Sequence, residues 1–586
     1  MFFKIARFFL PCLLFAGFSY QVEFIGLQDT KTLKIIQNES SIIQLLHRPP
    51  TSINGLRYRI KSDIPEMIKI LHAAAYYDAE ITYEIRDKEE SALVYIFIHP
   101  GPQYILSSYD FFSGNCQEKE PLPGCHDLTL HDLGLEIKKP ALAEEILKAE
   151  NILLQRLGNC GYPLANIESR EVIVDAAVKT VAVKVCVKVG PLCKFGPISM
   201  VGLHDINIEF IARKILWEEG EIYTENLIDK TQRELIETDL FSSVLISHAE
   251  TLDASGLLPI KIRFNETKHK SISLGAGYAT WNGPSAYIGW SNRNFRHMGE
   301  QLTLEVNANQ MLTTGSLSYV KPDFYRRNQN FLSRAELMRE HITVYIAQTW
   351  SWQNLIERNF SKNTYASWGI RGEYIDITNS INNGKFALIS LPIYVNFKNV
   401  ENILDPTKGV IVNYWIKPYQ NITNRIDTFF WQYLDTSFYA PLSKNRSFVL
   451  AIRAQIGSIF GAGLYRIPFN RRFLAGSEND LRGYEFKTVS PLNDRGKPTG
   501  GRGAIYFSFE SRFKMTKKIG IVPFFDVGNV TNSAYPTVLG KWYKDVGLGL
   551  RYFTFFGPLR LDIGIPLDRR NFDPRYRIYI SVGQTY

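Results

Sequence analysis

From Lys270 onward, apolar and polar side chains alternate with a period of two through sixteen successive segments. That period belongs to strands with one apolar and one polar face. The segments start near residues 270, 284, 299, 312, 330, 344, 364, 386, 409, 427, 447, 503, 519, 543, 558 and 576. In the twelfth, Ile505, Phe507, Phe509 and Phe513 share one face, and Ser508, Glu510 and Arg512 share the other. In the sixteenth, Ile578, Ile580, Val582 and Tyr586 oppose Arg577, Tyr579, Ser581 and Gly583. A soluble chain would have to divide so many strands among several sandwiches, each with its own core. A single outer-membrane barrel instead needs an even strand count, segments of about ten residues and an outer apolar band with aromatic girdles. Aromatic residues make up 13% of the chain and crowd into this half. The pattern predicts an all-β, 16-stranded transmembrane β-barrel over 268–586.

A barrel of this kind must be exported, and residues 1–20 have the form of a signal peptide. Lys4 and Arg7 precede an apolar run over 8–18, and Ala16, Gly17 and Ser19 offer small residues for cleavage. The run is too short to span a bilayer as a helix, and no later stretch is long and apolar enough to do so. Export permits disulfides among the five cysteines beyond residue 20. Cys116 and Cys125 flank a Pro/Gly-rich loop and can close it. The cysteine spacing fits no zinc pattern, so no metal site is expected. Net charge is +9, with both signs interspersed and no basic run, which argues against a nucleic-acid partner. The ten histidines are scattered, with no nucleophile elbow or phosphate loop around them, so neither an enzyme nor a cofactor is expected.

Between signal and barrel lies a weak threefold repeat. Helical stretches at 64–75, 142–157 and 226–237 each run into a turn carrying an aromatic anchor, Tyr77, Tyr162 or Phe241. Strands at 92–98, 180–189 and 258–264 follow. A period of about eighty residues is too long for a solenoid and suits small α+β domains in tandem. Their expected limits are 21–100, 101–190 and 191–267. Each small sheet has an open edge that can accept an added strand, though such units can equally act as spacers.

The longest connection in the barrel half, 459–502, joins the eleventh and twelfth strands. If the tandem domains are periplasmic, it is the sixth outer loop. Phe473, Leu474, Leu481, Tyr484 and Phe486 give it apolar surface to bury, so it is expected to fold back into the lumen. Arg482 sits among them beside Gly483, and a buried arginine needs carboxylate acceptors. The alternation supplies two: Glu510 on the polar face of strand twelve, and Asp526, which shares a face with Gly528 on strand thirteen.

These features together resemble the BamA/TamA superfamily of outer-membrane assembly proteins, whose tandem units are polypeptide-transport-associated (POTRA) domains. Leu481-Arg482-Gly483-Tyr484 is similar to the family's (V/I)RG(F/Y) loop tip, with Leu in the first place. Phe524-Phe525-Asp526-Val527-Gly528 resembles its F-x-D-x-G signature. Residues 556–564 are similar to its penultimate segment. The resemblance implies that Arg482, Gly483 and Tyr484 dock against Glu510, Asp526 and Gly528. It also implies a weakly paired lateral seam between strand one, with Gly275 and Gly277, and strand sixteen, with Gly583 and Tyr586. Those glycines can also simply relieve crowding.

The implied function is insertion or secretion of outer-membrane proteins from the bacterial outer membrane, without a cofactor. Three POTRA units suit the TamA branch. Its expected partners are outer-membrane lipid, client β-barrel or autotransporter polypeptides, and a TamB-like periplasm-spanning protein. The alternatives are a central BamA-like insertase, lipid transport with a TamB-type partner, or a passive outer-membrane channel.

Overall fold

A computed structural model describes residues 19–88, 91–114, 122–123, 128–279, 282–423, 427–555, 557–584 and 586. Most of the expected signal peptide, together with Cys116 and Cys125, lies outside these residues. The chain forms two compact bodies, one holding the first two α/β units and most of the third, the other the large sheet with 202–213 and 235–243.

The first unit runs β1 (Ser19–Ile25), α1 (Thr30–Glu39), α2 (Ser41–Gln44), α3 (Ile53–Ala73), β2 (Glu80–Lys88) and β3 (Ser91–His99). β3 is central, parallel to β1 and antiparallel to β2. Ser52 caps α3 by accepting from the Gly55 N–H, and Leu56, Ile60, Met67 and Leu71 recur along its buried face. Alternate β3 residues Ala92, Val94, Ile96 and Ile98 meet them in the core. Asp63, on the same helical face, is buried because it accepts from Ser40 Oγ at 2.7 Å and from the Ile42 N–H at 2.8 Å. β1 begins at Ser19, two residues ahead of the limit expected from the sequence.

The second unit holds β4 (Ile105–Ser113), α4 (Ala143–Asn159), β5 (Asn166–Asp175) and β6 (Thr180–Lys188), with β6 central. Val181, Val183, Val185 and Val187 of β6 pack on Ile146, Ala149, Leu153 and Leu157 of α4. The third holds β7 (Phe195–Val201), α5 (Ile208–Lys214), α6 (Glu225–Ile236), β8 (Phe241–His248) and β9 (Leu258–Glu266), with β9 central. Every unit is thus one or more helices on a three-stranded sheet whose middle strand is its last in sequence.

The large sheet is antiparallel throughout, and its strands follow one another in sequence order. It opens with β10 (Lys270–Ala279), β11 (Gly283–Asn292), β12 (Gln301–Asn309), β13 (Leu312–Lys321), β14 (Gln329–Ile342) and β15 (Tyr345–Ser361). β16 (Thr364–Thr378), β17 (Gly384–Ser390), β18 (Ile393–Lys398), β19 (Gly409–Asn421), β20 (Asp427–Pro441) and β21 (Phe448–Gly461) follow. It closes with β22 (Gly503–Lys514), β23 (Ile519–Thr531), β24 (Tyr543–Thr554), β25 (Gly557–Pro566) and β26 (Arg577–Val582).

These are seventeen segments where sixteen strands were expected. β17 and β18 both pair with β16 and with β19, so they are two halves of one strand. The break falls at Leu391-Pro392, where proline has no N–H to give the ladder. The bonds Gly369 N–H to Pro392 O and Leu391 N–H to Pro418 O carry the pairing past it. Sixteen staves therefore describe the barrel.

Its hydropathy is inverted relative to a soluble fold. On β22, Ser508, Glu510 and Arg512 are buried while Phe509 and Phe513 are exposed. Ile272, Leu274, Leu337, Trp350 and Trp352 are likewise exposed. Apolar residues outside and polar residues inside suit a barrel surrounded by lipid. No described helix is long and apolar enough to cross a membrane, a test that does not concern strands.

Candidate functional site

The residues between β21 and β22 turn into the barrel. Backbone bonds pair Phe473 with Gly501 and Ala475 with Val489, making a narrow stalk. At its tip Gly476 has φ +101°, and a Cβ there would lie 2.1 Å from the Glu485 carbonyl oxygen, so glycine is required. Asp480 accepts from the Gly476 and Ser477 N–H groups at 2.9 and 2.7 Å and closes the turn that presents Leu481 and Arg482. Ile467, Phe469, Ala475, Leu481, Tyr484 and Val489 are wholly buried. At about 1.5–3 kcal/mol for each large side chain, this apolar packing supplies much of what orders so long a loop.

Arg482 is wholly buried and spans three strands. Its Nε and Nη2 donate to the two carboxylate oxygens of Asp526 on β23, both at 2.7 Å. Nη1 donates to Glu510 Oε1 on β22 at 2.7 Å and reaches Asp562 Oδ2 on β25 at 3.4 Å. The guanidinium carbon lies 3.5 Å from the centroid of the Phe524 ring. The fork of Arg matches a carboxylate in two-point contact and leaves Nη1 for a second partner, which a lysine cannot do. Ser508 Oγ donates a further bond to Asp526 at 2.7 Å.

Small residues let the tip descend this far. A Cβ on Gly483 would sit 2.7 Å from Asp545 Cβ and from the Pro566 nitrogen. One on Gly528 would sit 2.6 Å from the Tyr506 ring and 3.4 Å from Leu481. Beside them Tyr484 is buried edge-on to Tyr543 and donates its hydroxyl to Lys544 O at 2.9 Å. The structure thus brings together Arg482, Gly483, Tyr484, Glu510, Asp526 and Gly528.

A model of the Omp85 superfamily domain matches residues 294–586, half of the chain and all of this clamp. The chain belongs to the Omp85 superfamily. It is similar to the outer membrane protein assembly factor BamA of Nitratidesulfovibrio vulgaris, at 23% identity over 530 residues, 87% of this chain and 66% of that protein. BamA of Buchnera aphidicola is 26% identical over 174 residues, 30% of this chain and 27% of the relative. The chain therefore spans less than two thirds of the length of these relatives. Among solved structures, BamA from Haemophilus ducreyi lacking POTRA domains 1–3 superposes with a TM-score of 0.69. It is 18% identical and covers 82% of this chain and 100% of its own. The α/β units are thus POTRA-like and periplasmic, and the Omp85 barrel lies in the outer membrane.

Sequence reasoning did not reach Asp562, the third acceptor. It shares the lumen phase of β25 with Arg560 and Gly564, and that alternation was the available signal. Nor did it find the outer ring of contacts on this Omp85 loop. Arg471 pairs with Glu373 at 3.0 Å, Lys487 with Glu340 at 3.1 Å and Arg577 with Glu485 at 2.6 Å. Arg570 donates to Thr488 O at 2.7 Å and pairs with Asp573.

At the seam, β10 pairs only with β11 and β26 only with β25; among the described residues no ladder joins the two. Gly275 and Gly277 lie in register with Tyr287 and Ser285 of β11. The last strand departs from its expected course of 576–586. β26 stops at Val582, and Gly583 takes φ +91°, a left-handed turn that breaks the period of two. Tyr586 therefore does not share the outer face of Ile578, Ile580 and Val582. It folds inward, its hydroxyl donating to Ala451 O at 3.3 Å and Ser508 O at 3.2 Å. It packs there with Tyr439, Val449 and Ala451.

Two other groupings stand apart from the clamp. Cys186 is disulfide-bonded and Cys193 is a free, buried thiol. Asp205, Glu266 and His269 bring ligand-type atoms within 4.8 Å of one another. Glu266 there already accepts from the backbone N–H groups of His204, Asp205 and Ile206, so its carboxylate caps that turn.

Proposed function

We propose that this protein inserts or secretes outer-membrane proteins through its barrel, with loop 462–502 held in the lumen between client events. The observation that carries this reading is a barrel whose first and last strands share no ladder among the described residues while an arginine clamp holds the loop inside it. Unpaired strand edges are templates for an added strand. The similarity to BamA proteins, named as outer-membrane assembly factors, supports the same reading. POTRA edges would receive the client in the periplasm, and outer-membrane lipid would receive it at the seam.

Two versions differ in breadth. Three α/β units support a TamA-like role on a narrow client set such as autotransporters, with a TamB-like protein spanning the periplasm. The BamA relatives support a general insertase. Lipid transport with the same kind of partner is a third role compatible with the architecture. A passive channel is disfavoured, because diffusion needs neither a clamped loop nor tandem periplasmic units.

A photo-crosslinking residue at Ile272 or Ile580, both exposed on the seam strands, tests the reading in pulse-labelled cells. The expected adducts contain newly exported outer-membrane proteins and disappear during the chase. Adducts with lipid alone would contradict it.

A further inference from the structure

The clamp does not end at its carboxylates. Glu510 offers Oε1 to Arg482 and Oε2 to Arg512 Nε, the latter at 2.8 Å, and Arg512 Nη2 donates onward to the Tyr586 backbone oxygen at 3.0 Å. A second route runs through Asp562, which meets Arg482 Nη1 at 3.4 Å and accepts from Arg551 Nη1. Arg551 Nε then donates to the Gln584 side-chain oxygen at 2.8 Å. Both routes start on the loop arginine and finish on the residues that turn inward after β26. Gln584 is further tied by its own N–H to Leu404 O at 3.1 Å and by its amide to Asp405 at 3.0 Å.

We propose that Arg512 and Arg551 are positioning residues that make the inward fold of the chain end depend on the seating of Arg482. The reason is charge balance in a dry site. Glu510, Asp526 and Asp562 are wholly buried, and Arg482 serves all three. While it is seated, Arg512 and Arg551 have donors to spare for the tail. Each guanidinium has five donors in a fixed fork, so turning it towards a second acceptor removes it from the first. When Arg482 leaves, the carboxylates are buried without enough counter-charge, a costly state that draws Arg512 and Arg551 further inward, beside Arg560, which already lies 3.6 Å from Asp562. Tyr586 O and Gln584 Oε1 then lose their donors. A chain end folded into the lumen cannot join a ladder to β10, whereas a released one can. Only this last consequence rests on the proposed function; the coupling itself does not.

Hydrogen exchange of the full-length protein in phosphatidylethanolamine/phosphatidylglycerol nanodiscs tests the coupling. The reporters are the N–H of Gly583, bonded to Pro558 O at 2.8 Å, and that of Gln584. In Arg482→Ala, peptides over 473–491 and 577–586 should both exchange faster by roughly tenfold or more. In the double variant Arg512→Gln/Arg551→Gln the tail should loosen alone while 473–491 stays protected, and Arg512→Lys should restore part of the protection. If Arg482→Ala does not reach a folded barrel, Gly483→Ala lifts the same tip with every charge kept. Tail exchange that stays at the wild-type rate when the loop is released would overturn the proposal, since packing of Tyr586 on Tyr439 and Val449 would then suffice. Equal acceleration in every barrel peptide of the double variant would overturn it too.

Discussion

At the scale of single residues, Arg482 is expected to decide whether the loop stays in the lumen. Replacing it with alanine strands buried carboxylates, a loss on the order of 3–5 kcal/mol. Arg482→Lys should recover little of this, because an ammonium cannot hold both oxygens of Asp526 and still reach Glu510. Limited proteolysis of the folded protein checks this: loop 462–502 should be cut in both variants and resist in the wild type. Arg482, Glu510 and Asp526 were legible because an arginine in an apolar loop demands acceptors and a period of two says which carboxylates face inward. Asp562 obeys the same rule on β25, in phase with Arg560 and Gly564. Arg512 was placed on the polar face, yet nothing local marks it as the partner of Tyr586, 74 residues later.

At the scale of elements, the strand order follows directly from the alternation, and the departures have local causes. Pro392 divides one stave into β17 and β18, and Gly583 ends β26 early and sends Tyr586 into the lumen. An alternation cannot report a left-handed turn, since glycine fits either face of a strand; only the backbone angle reveals it. In the POTRA-like units the middle strands were readable from their valine and isoleucine runs, while contacts between units were not. One of these is an ion pair from Lys31 on α1 to Glu144 on α4 at 3.0 Å. Lys148 and then Lys31 hold the Glu144 carboxyl down at about 2, against an ordinary value of 4.5. A depressed carboxylate stabilises the fold above its ordinary range and loses that effect as pH falls through its folded value. The contact should therefore persist at pH 4 and fail only towards pH 2, weakening with added salt because both groups are exposed. Carboxyl carbon NMR on glutamate-labelled protein checks this: Lys31→Ala should move the Glu144 titration upward. A wild-type titration at 4.5 would contradict it.

At the scale of the whole molecule, the inverted hydropathy of sixteen staves follows the outer membrane around the barrel, and the tandem α/β units follow its periplasmic side. The barrel was legible because lipid forces an apolar exterior on every strand, whereas client range leaves no comparable imprint on side-chain periodicity. Under the proposed function, outer-membrane proteins depend on this barrel for assembly. Depleting the protein and quantifying all outer-membrane proteins by mass spectrometry tests it most directly. Barrel proteins should then decline, a narrow set such as autotransporters for the TamA-like version and nearly all for the general insertase. Outer-membrane protein levels that stay unchanged under depletion would contradict it.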